Sequence, residues 1–187
     1  QARQRDDDAF WSNVAGWYLV GCVANSVWIF LWHWNQLGWS VLLTLLLLVS
    51  LLAIYLQMSK RGWEWGNRST AETWAVYVPL SLYLGWASVA FIANISAWLW
   101  QLNWSGFGLS DTSWAVIMLV IAAMVGIFFG GWRRNLAYAG VIVWAFVGIG
   151  VKQAEVLTVA YSAYALAALV MIVAIWGQLK ENKRTIG

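Results

Sequence analysis

Long apolar stretches separated by short polar segments run along most of the chain. The stretch "VLLTLLLLVSLLAIYL", residues 41–56, does not alternate apolar and polar residues, so it lacks the strand pattern of a membrane barrel. Each apolar stretch reaches or approaches the roughly 20 residues that a helix needs to cross about 30 Å of hydrocarbon. The pattern predicts an all-α, polytopic transmembrane bundle that forms a single domain over residues 1–187. The six predicted spans are 10–34, 39–57, 73–102, 112–130, 134–151 and 154–179.

Basic residues are distributed unequally between the two sides that six spans define. One side, shared by both chain ends and by the second and fourth connecting segments, holds ten of the eleven basic residues, and the other holds only Lys152. Because Lys and Arg accumulate on the cytoplasmic side of membrane proteins, we predict that both ends of this chain are cytoplasmic. The ten are Arg3, Arg5, Lys60, Arg61, Arg68, Arg133, Arg134, Lys180, Lys183 and Arg184.

Local signals mark two helix ends. The segment "SDTSW" offers Ser110 or Asp111 as the N-cap of the fourth span. Pro79 is the only proline and lies near the start of the third span, where a missing backbone N–H is least disruptive.

The 17 tryptophans follow the aromatic belts of membrane proteins in part. Trp28, Trp86 and Trp144 fall well inside their spans, where an indole N–H needs a partner. The tryptophans that we assign to the membrane boundaries are Trp32, Trp34, Trp39, Trp98, Trp100, Trp104 and Trp114 on one side and Trp63, Trp65, Trp74, Trp132 and Trp176 on the other.

Composition argues against several classes of function. Only 10% of the residues are charged, whereas soluble domains carry about 25%. A net charge of +3 with no basic surface interleaved with aromatics gives no indication of nucleic-acid binding. No phosphate-binding loop is present, and no carboxylate lies in the interior of a predicted span. We therefore expect a protein that is not an enzyme. The acidic residues lie in tails, in connecting segments or, for Glu155, at the very start of the sixth span, and they are Asp6, Asp7, Asp8, Glu64, Glu72, Asp111, Glu155 and Glu181.

His33 is the single histidine and ends the first span in "FLWHWNQ". A His-based triad or a multi-histidine metal site is therefore excluded. Two interpretations remain: an interfacial residue without a specific role, or an axial ligand to the metal of a tetrapyrrole.

Polar and aromatic residues form a stripe on the third span. Tyr83, Trp86, Ala90 and Asn94 recur at steps of three and four, together with Ala87 and Ala97. The first span carries a similar stripe, namely Trp17, Gly21, Asn25, Trp28 and Trp32.

These stripes have two explanations. Small residues allow close helix packing, and amides form hydrogen bonds between membrane helices. Alternatively, the small residues leave a pocket in which indoles and amides orient a flat ligand. The candidate ligand-binding residues are Asn25, Trp28, Tyr83, Trp86, Ala90 and Asn94.

The segment "VPLSLYLGWASVAFIANISAWLWQLNW" resembles the signature helix of the tryptophan-rich sensory proteins, the TspO and translocator-protein relatives. Pro79, Trp86, Ala90 and Asn94 match that signature, and Tyr83 matches with a displacement of a few residues. The segments "WYLVGCVANSVWIFLWHW" and "NWSGFGLSDTSWAVIML" also resemble a longer branch of the family. The resemblance implies binding of porphyrin, haem or another tetrapyrrole, or of another flat hydrophobic molecule.

Two departures limit what the resemblance implies. Compact members carry the signature in the last of five helices, whereas three predicted spans follow it here. The tryptophan- and proline-rich early segment of the family is absent, and "QARQRDDD" resembles a loop that follows upstream helices. We therefore expect that one or two N-terminal spans are missing from this chain.

The function predicted from the sequence is a membrane receptor, sensor or carrier for a tetrapyrrole-like ligand. The alternative is a structural or accessory subunit of a larger membrane complex, such as a photosynthetic assembly. The expected partners are membrane lipids, a hydrophobic small molecule, and either a second copy of the chain or the subunits of such a complex.

Overall fold

The computed structural model describes residues 2–61 and 69–185. It confirms the all-α bundle: the described ranges contain six long helices and no strand. Five of them are long and apolar enough to cross a membrane. Predictions for Trp63, Glu64, Trp65 and Arg68, and for the side chains of 1–7 and 181–187, fall outside the described part. The helices are α1 Ala2–His33, α2 Leu37–Lys60, α3 Thr70–Gln101, α4 Asp111–Trp132, α5 Leu136–Lys152 and α6 Leu157–Thr185.

The largest error in the predicted spans concerns the start of α1. The helix begins at Ala2 rather than at residue 10, so residues 2–8 of the predicted loop "QARQRDDD" are helical. Hydropathy marks only the apolar part of a helix, and this polar segment contains neither proline nor glycine to end it. Helix α5 has only 17 residues and is the shortest of the six helices.

The helices pack in a defined order. α2 lies against α1 on one side and α3 on the other, α5 packs against α3 and α6, and α4 packs mainly against α6. At the centre Phe129 of α4 stacks on Tyr138 of α5 at 4.2 Å between ring centroids. The Tyr55 ring of α2 makes an edge-to-face contact with the same phenylalanine, with 5.5 Å between ring centroids. These rings connect α2, α4 and α5.

Two ends of the bundle are distinguished by charge. The "basic end" is the one where Lys60, Arg61, Arg133, Arg134 and Lys180 lie, and the "opposite end" carries Lys152. Exposed tryptophans lie at both ends, in agreement with the predicted belts. They are Trp74, Trp132 and Trp176 at the basic end and Trp32, Trp34, Trp39 and Trp100 at the opposite end.

Helix α3 begins with a capping box. Ser69 accepts a hydrogen bond from the backbone of Glu72 at 3.2 Å, and its own backbone N–H donates to the Glu72 carboxylate at 2.7 Å. A π-helical turn, Thr73–Tyr77, precedes the α-helical part that contains Pro79. Proline has no N–H to donate, and the wider turn changes the hydrogen-bond register just before it.

Helix α4 begins at the predicted cap. Ser110 is the N-cap residue, and its hydroxyl accepts a hydrogen bond from the backbone N–H of Ser113 at 3.2 Å. At the end of α1, Asn35 adopts the left-handed conformation at φ 58°. The next N–H, from Gln36, then reaches back to the carbonyl of Leu31 at 2.8 Å, as in a Schellman motif.

Candidate functional site

The Trp28 and Asn94 side chains, both predicted from the stripes, meet inside the bundle. The indole N–H of Trp28 donates to Asn94 Oδ1 at 3.3 Å, and Ser40 Oγ of α2 donates to the same oxygen at 2.5 Å. Asn94 Nδ2 donates to the carbonyl of Ala90 at 2.8 Å. Asn94 is only 3% exposed. We call Trp28, Ser40 and Asn94 the "Asn94 junction".

The Asn94 junction joins three helices rather than two. The stripes correctly indicated that residues of α1 and α3 meet, but they did not indicate that the Ser40 hydroxyl of α2 donates to the same oxygen. Because both donors and the amide are paired, helix packing accounts for Trp28, Ala90 and Asn94 without a ligand. The signal that could have identified Ser40 is a serine at the start of a span whose residues are mostly aliphatic.

Two of the predicted residues lie on the same helices as the Asn94 junction, in the direction of the basic end. Tyr83 is half-buried and lies near Tyr18 and Cys22 of α1. Asn25 is half-buried one turn before Trp28, and no side-chain hydrogen bond joins it to another residue in the described ranges. Their assignment to a ligand site stays a prediction.

Trp86 points away from the Asn94 junction. It is 48% exposed and pairs with Trp144 of α5, which is 65% exposed, at 5.4 Å between ring centroids. Both indoles lie near the middle of their spans in the sequence, and in the structure they pair on the outer surface of the bundle.

A second polar set, missed by the sequence analysis, joins α3 to α5. Asn135, fully buried at the start of α5, donates to Ser81 Oγ at 2.8 Å and accepts from the backbone of Tyr138 at 3.0 Å. Two turns along α3, Tyr138 Oη donates to Ser88 Oγ at 2.8 Å. The available signal was the spacing of Ser81 and Ser88, which places both hydroxyls on one face of α3.

A cavity lined by three indoles lies between α3 and α4 at the opposite end of the bundle. It has a volume of about 450 Å³, and we call it the "indole cavity". Asn94 and Ser96 are two residues apart on α3, so they face nearly opposite directions and the cavity is separate from the Asn94 junction. Its lining residues are Ser96, Leu99, Trp100, Asn103, Trp104, Gly106, Asp111, Trp114, Ala115 and Met118.

Indoles and a tight turn hold the shape of the indole cavity. Trp114 of α4 donates its indole N–H to the carbonyl of Gly106 at 2.7 Å and lies 4.8 Å from the Trp104 ring. Gly106 has φ 62°, and a Cβ there would lie 2.7 Å from the Trp114 nitrogen. Glycine is therefore required at this turn, both for its conformation and for the close approach of Trp114.

Two further cavities open at the ends of the bundle. One, of about 540 Å³, lies at the opposite end between the α1–α2 connection and α3. There Gly38 lets the Trp98 ring approach α2, and Gln101 donates to the carbonyl of Asn35 at 3.2 Å. The other, of about 420 Å³, lies between α4 and α6 at the basic end.

His33 lies exposed at the end of α1. Over the described residues no group of three or more His, Cys, Asp or Glu side chains is arranged to hold a metal ion. The role of His33 as an axial ligand of a tetrapyrrole stays a prediction.

Comparison with known proteins places the chain in a family. No curated protein and no solved structure matches it. A family model described as TSPO-like protein matches residues 1–176, which agrees with the resemblance carried by Pro79, Trp86, Ala90 and Asn94. Because the match covers nearly the whole sequence, this helical membrane chain belongs to the TSPO-like protein family.

Proposed function

We propose that this integral membrane protein of the TSPO-like family is a receptor or carrier for a flat hydrophobic ligand of the tetrapyrrole class. It is not an enzyme under this proposal. The observation that carries the proposal is the indole cavity, where Trp100, Trp104 and Trp114 surround about 450 Å³.

The size and lining of the indole cavity suit such a ligand. Small-molecule sites have volumes of about 300–1,000 Å³ and combine apolar walls with a few polar groups. Here Leu99 and Met118 supply apolar surface, and indole faces favour stacking on a planar macrocycle. The hydroxyl of Ser96 and the amide of Asn103 supply hydrogen-bonding groups. Asp111 disfavours a carboxylate nearby, so the acidic edge of a porphyrin is expected to point away from it.

The stripe residues supply the alternative position for the same ligand. Asn25 and Tyr83 lie on α1 and α3 between the Asn94 junction and the basic end, and a ligand bound beside them would contact α1 and α3 instead of α3 and α4. The proposed function is the same for both positions, and different substitutions separate them.

Saturable quenching of tryptophan fluorescence by protoporphyrin in the purified full chain tests the proposal. We expect Trp104→Leu to raise the apparent Kd about five- to tenfold, because a stacked and buried indole contributes about 1–1.5 kcal/mol. Trp74→Leu, at an exposed indole of the basic end, is the matched control and should leave the Kd unchanged. A larger effect of Tyr83→Leu than of Trp104→Leu would assign the ligand to the stripe residues. Quenching that never saturates in folded protein would contradict the proposed function.

The exposed Trp86–Trp144 pair supports the second candidate function, a structural or accessory subunit of a membrane complex. The cores of protein–protein interfaces are typically poor in charged residues and rich in aromatic residues. Purification from native membranes in mild detergent tests this candidate. Recovery of partner subunits at fixed stoichiometry, lost in the double variant Trp86→Ala, Trp144→Ala, would favour it over a ligand receptor.

A further inference from the structure

The cavity of about 420 Å³ at the basic end lies apart from both candidate sites for a flat ligand. Helices α4 and α6 form its walls. Its apolar part is Ile127 and Val173, and its charged part is Arg134 and Lys180. None of the described residues that line it is acidic. Its remaining lining residues are Gly131, Trp132, Trp176 and Gly177.

Glycines bring the two walls together at backbone distance. A Cβ on Gly177 would lie 2.5 Å from the carbonyl oxygen of Gly131, and one on Gly131 would lie 2.6 Å from Val173 Cγ1. Small residues of this kind allow membrane helices to approach closely. Trp132 and Trp176, which are 80% and 60% exposed, border the cavity between these two helices.

The backbone of Arg134 and the side chain of Lys180 both contact α6. The carbonyl of Arg134 accepts a hydrogen bond from Gln178 Nε2 of α6 at 2.7 Å, which fixes the left-handed backbone at Arg134, φ 55°, against α6. Lys180 Nζ lies 4.9 Å from the centroid of the Trp176 ring, within the range of a cation–π interaction. The cavity therefore combines two cations with two indoles at one end of the bundle.

The apolar part extends from this charged part toward the middle of the bundle. Val173 and Lys180 are seven residues apart on α6, a rise of about 10 Å along a helix. A phosphate held near Arg134 and Lys180 would thus leave an attached acyl chain to follow Ile127 and Val173. Basic pockets between membrane helices bind anionic lipid head groups in this way, and tryptophans at the interface favour the same depth.

We propose that this cavity binds the phosphate head group of an anionic glycerophospholipid. The charge complementarity of Arg134 and Lys180, together with the apolar wall below them, carries the proposal. A free phosphate would satisfy the cations equally well, but it would leave the apolar wall without a function.

Lipid retention by the purified full chain, measured by native mass spectrometry, tests the proposal. Phosphatidylglycerol and phosphatidylcholine with identical acyl chains are added in turn. We expect phosphatidylglycerol to be retained preferentially, and Lys180→Gln and Arg134→Gln each to weaken its binding about fivefold, since a basic residue near the surface contributes about 1 kcal/mol. Lys152→Gln at the opposite end removes the same charge and serves as the control.

Each outcome of the lipid-retention measurement either supports or overturns the proposed phospholipid site. Selectivity lost in Lys180→Gln but kept in Lys152→Gln would support the site, and Lys180 is exposed enough that its replacement should not disturb folding. Equal retention of the two lipids, or equal losses in the two lysine variants, would overturn it. Displacement of the lipid by millimolar inorganic phosphate would assign the cavity to a soluble anion instead.

Discussion

Trp28 donates its indole N–H to the side-chain oxygen of Asn94, 66 residues later in the chain, at 3.3 Å. The same oxygen accepts the hydroxyl of Ser40, so one atom joins α1, α2 and α3. In hydrocarbon no water replaces such bonds when one partner is removed. The Asn94 junction is therefore expected to stabilise the first half of the bundle.

The first prediction concerns the loss of this acceptor. Asn94→Leu keeps the approximate volume of the side chain but leaves two donors, Trp28 Nε1 and Ser40 Oγ, without their partner. We expect the free energy of unfolding in mixed micelles to fall by about 1–2 kcal/mol, as followed by circular dichroism.

Asn25→Leu is the matched control, because Asn25 follows an alanine in α1 as Asn94 does in α3 and has no side-chain hydrogen bond within the described ranges. Its effect should be less than half as large. A double-mutant cycle of Trp28→Phe with Asn94→Leu should show a coupling of about 0.5–1.5 kcal/mol. Purely additive losses would mean that the 3.3 Å contact contributes nothing.

Most of the fold was predictable because apolar length determines which segments can cross a bilayer. The six helices and the Ser110 cap depend on local composition and spacing, and the structure confirms both. The aromatic belts stay a prediction, with which the exposed tryptophans at both ends agree. The start of α1 was not predictable in this way, since a helix outside the membrane leaves no hydropathy signal.

The candidate site was predictable only in part, because a stripe shows which residues share a face but not which helix covers it. The stripes correctly bring Trp28 to Asn94, whereas the insertion of Ser40 depends on α2 packing between α1 and α3. The bond between Asn135 and Ser81 depends on the pairing of α3 with α5. Such nonlocal pairings cannot be deduced from periodicity within one span.

The second prediction tests the glycine contact between α4 and α6. Gly177→Ala places a methyl group 2.5 Å from the Gly131 carbonyl, so the backbones must separate. We expect a loss of about 1–3 kcal/mol in unfolding free energy. Gly148→Ala on α5 is the control: a Cβ there meets nothing within 4 Å, and the change should stabilise the helix slightly. Equal stability of the two variants would contradict the close approach.

The third prediction tests the left-handed residue at the end of α1. Asn35 has φ 58°, which glycine adopts without strain and a β-branched residue adopts poorly. We expect Asn35→Gly to retain the stability of the unaltered chain and Asn35→Val to lose about 1–2 kcal/mol. The Gln101 bond to the Asn35 carbonyl is a backbone contact and should be present in both variants. Thermal unfolding of the two proteins side by side measures the difference, and a stable Asn35→Val variant would contradict the Schellman geometry.

The fourth prediction concerns orientation, and it depends on whether the short helix α5 crosses the membrane. Cys22 is the single cysteine, so Cys22→Ser provides a background for placing Lys60→Cys or Lys152→Cys. Both ends of the chain are predicted to be cytoplasmic, and in intact cells a membrane-impermeant maleimide should therefore label position 152 but reach position 60 only after permeabilisation.

The opposite pattern would reverse the predicted orientation. Equal labelling of both positions from one side would instead mean that α5 does not cross. Its 17 residues span about 25 Å, just short of the hydrocarbon thickness of about 30 Å, which the bilayer accommodates by thinning locally. We expect α5 to cross because it lies between α3 and α6, and the longer helices on either side shield much of its surface from lipid.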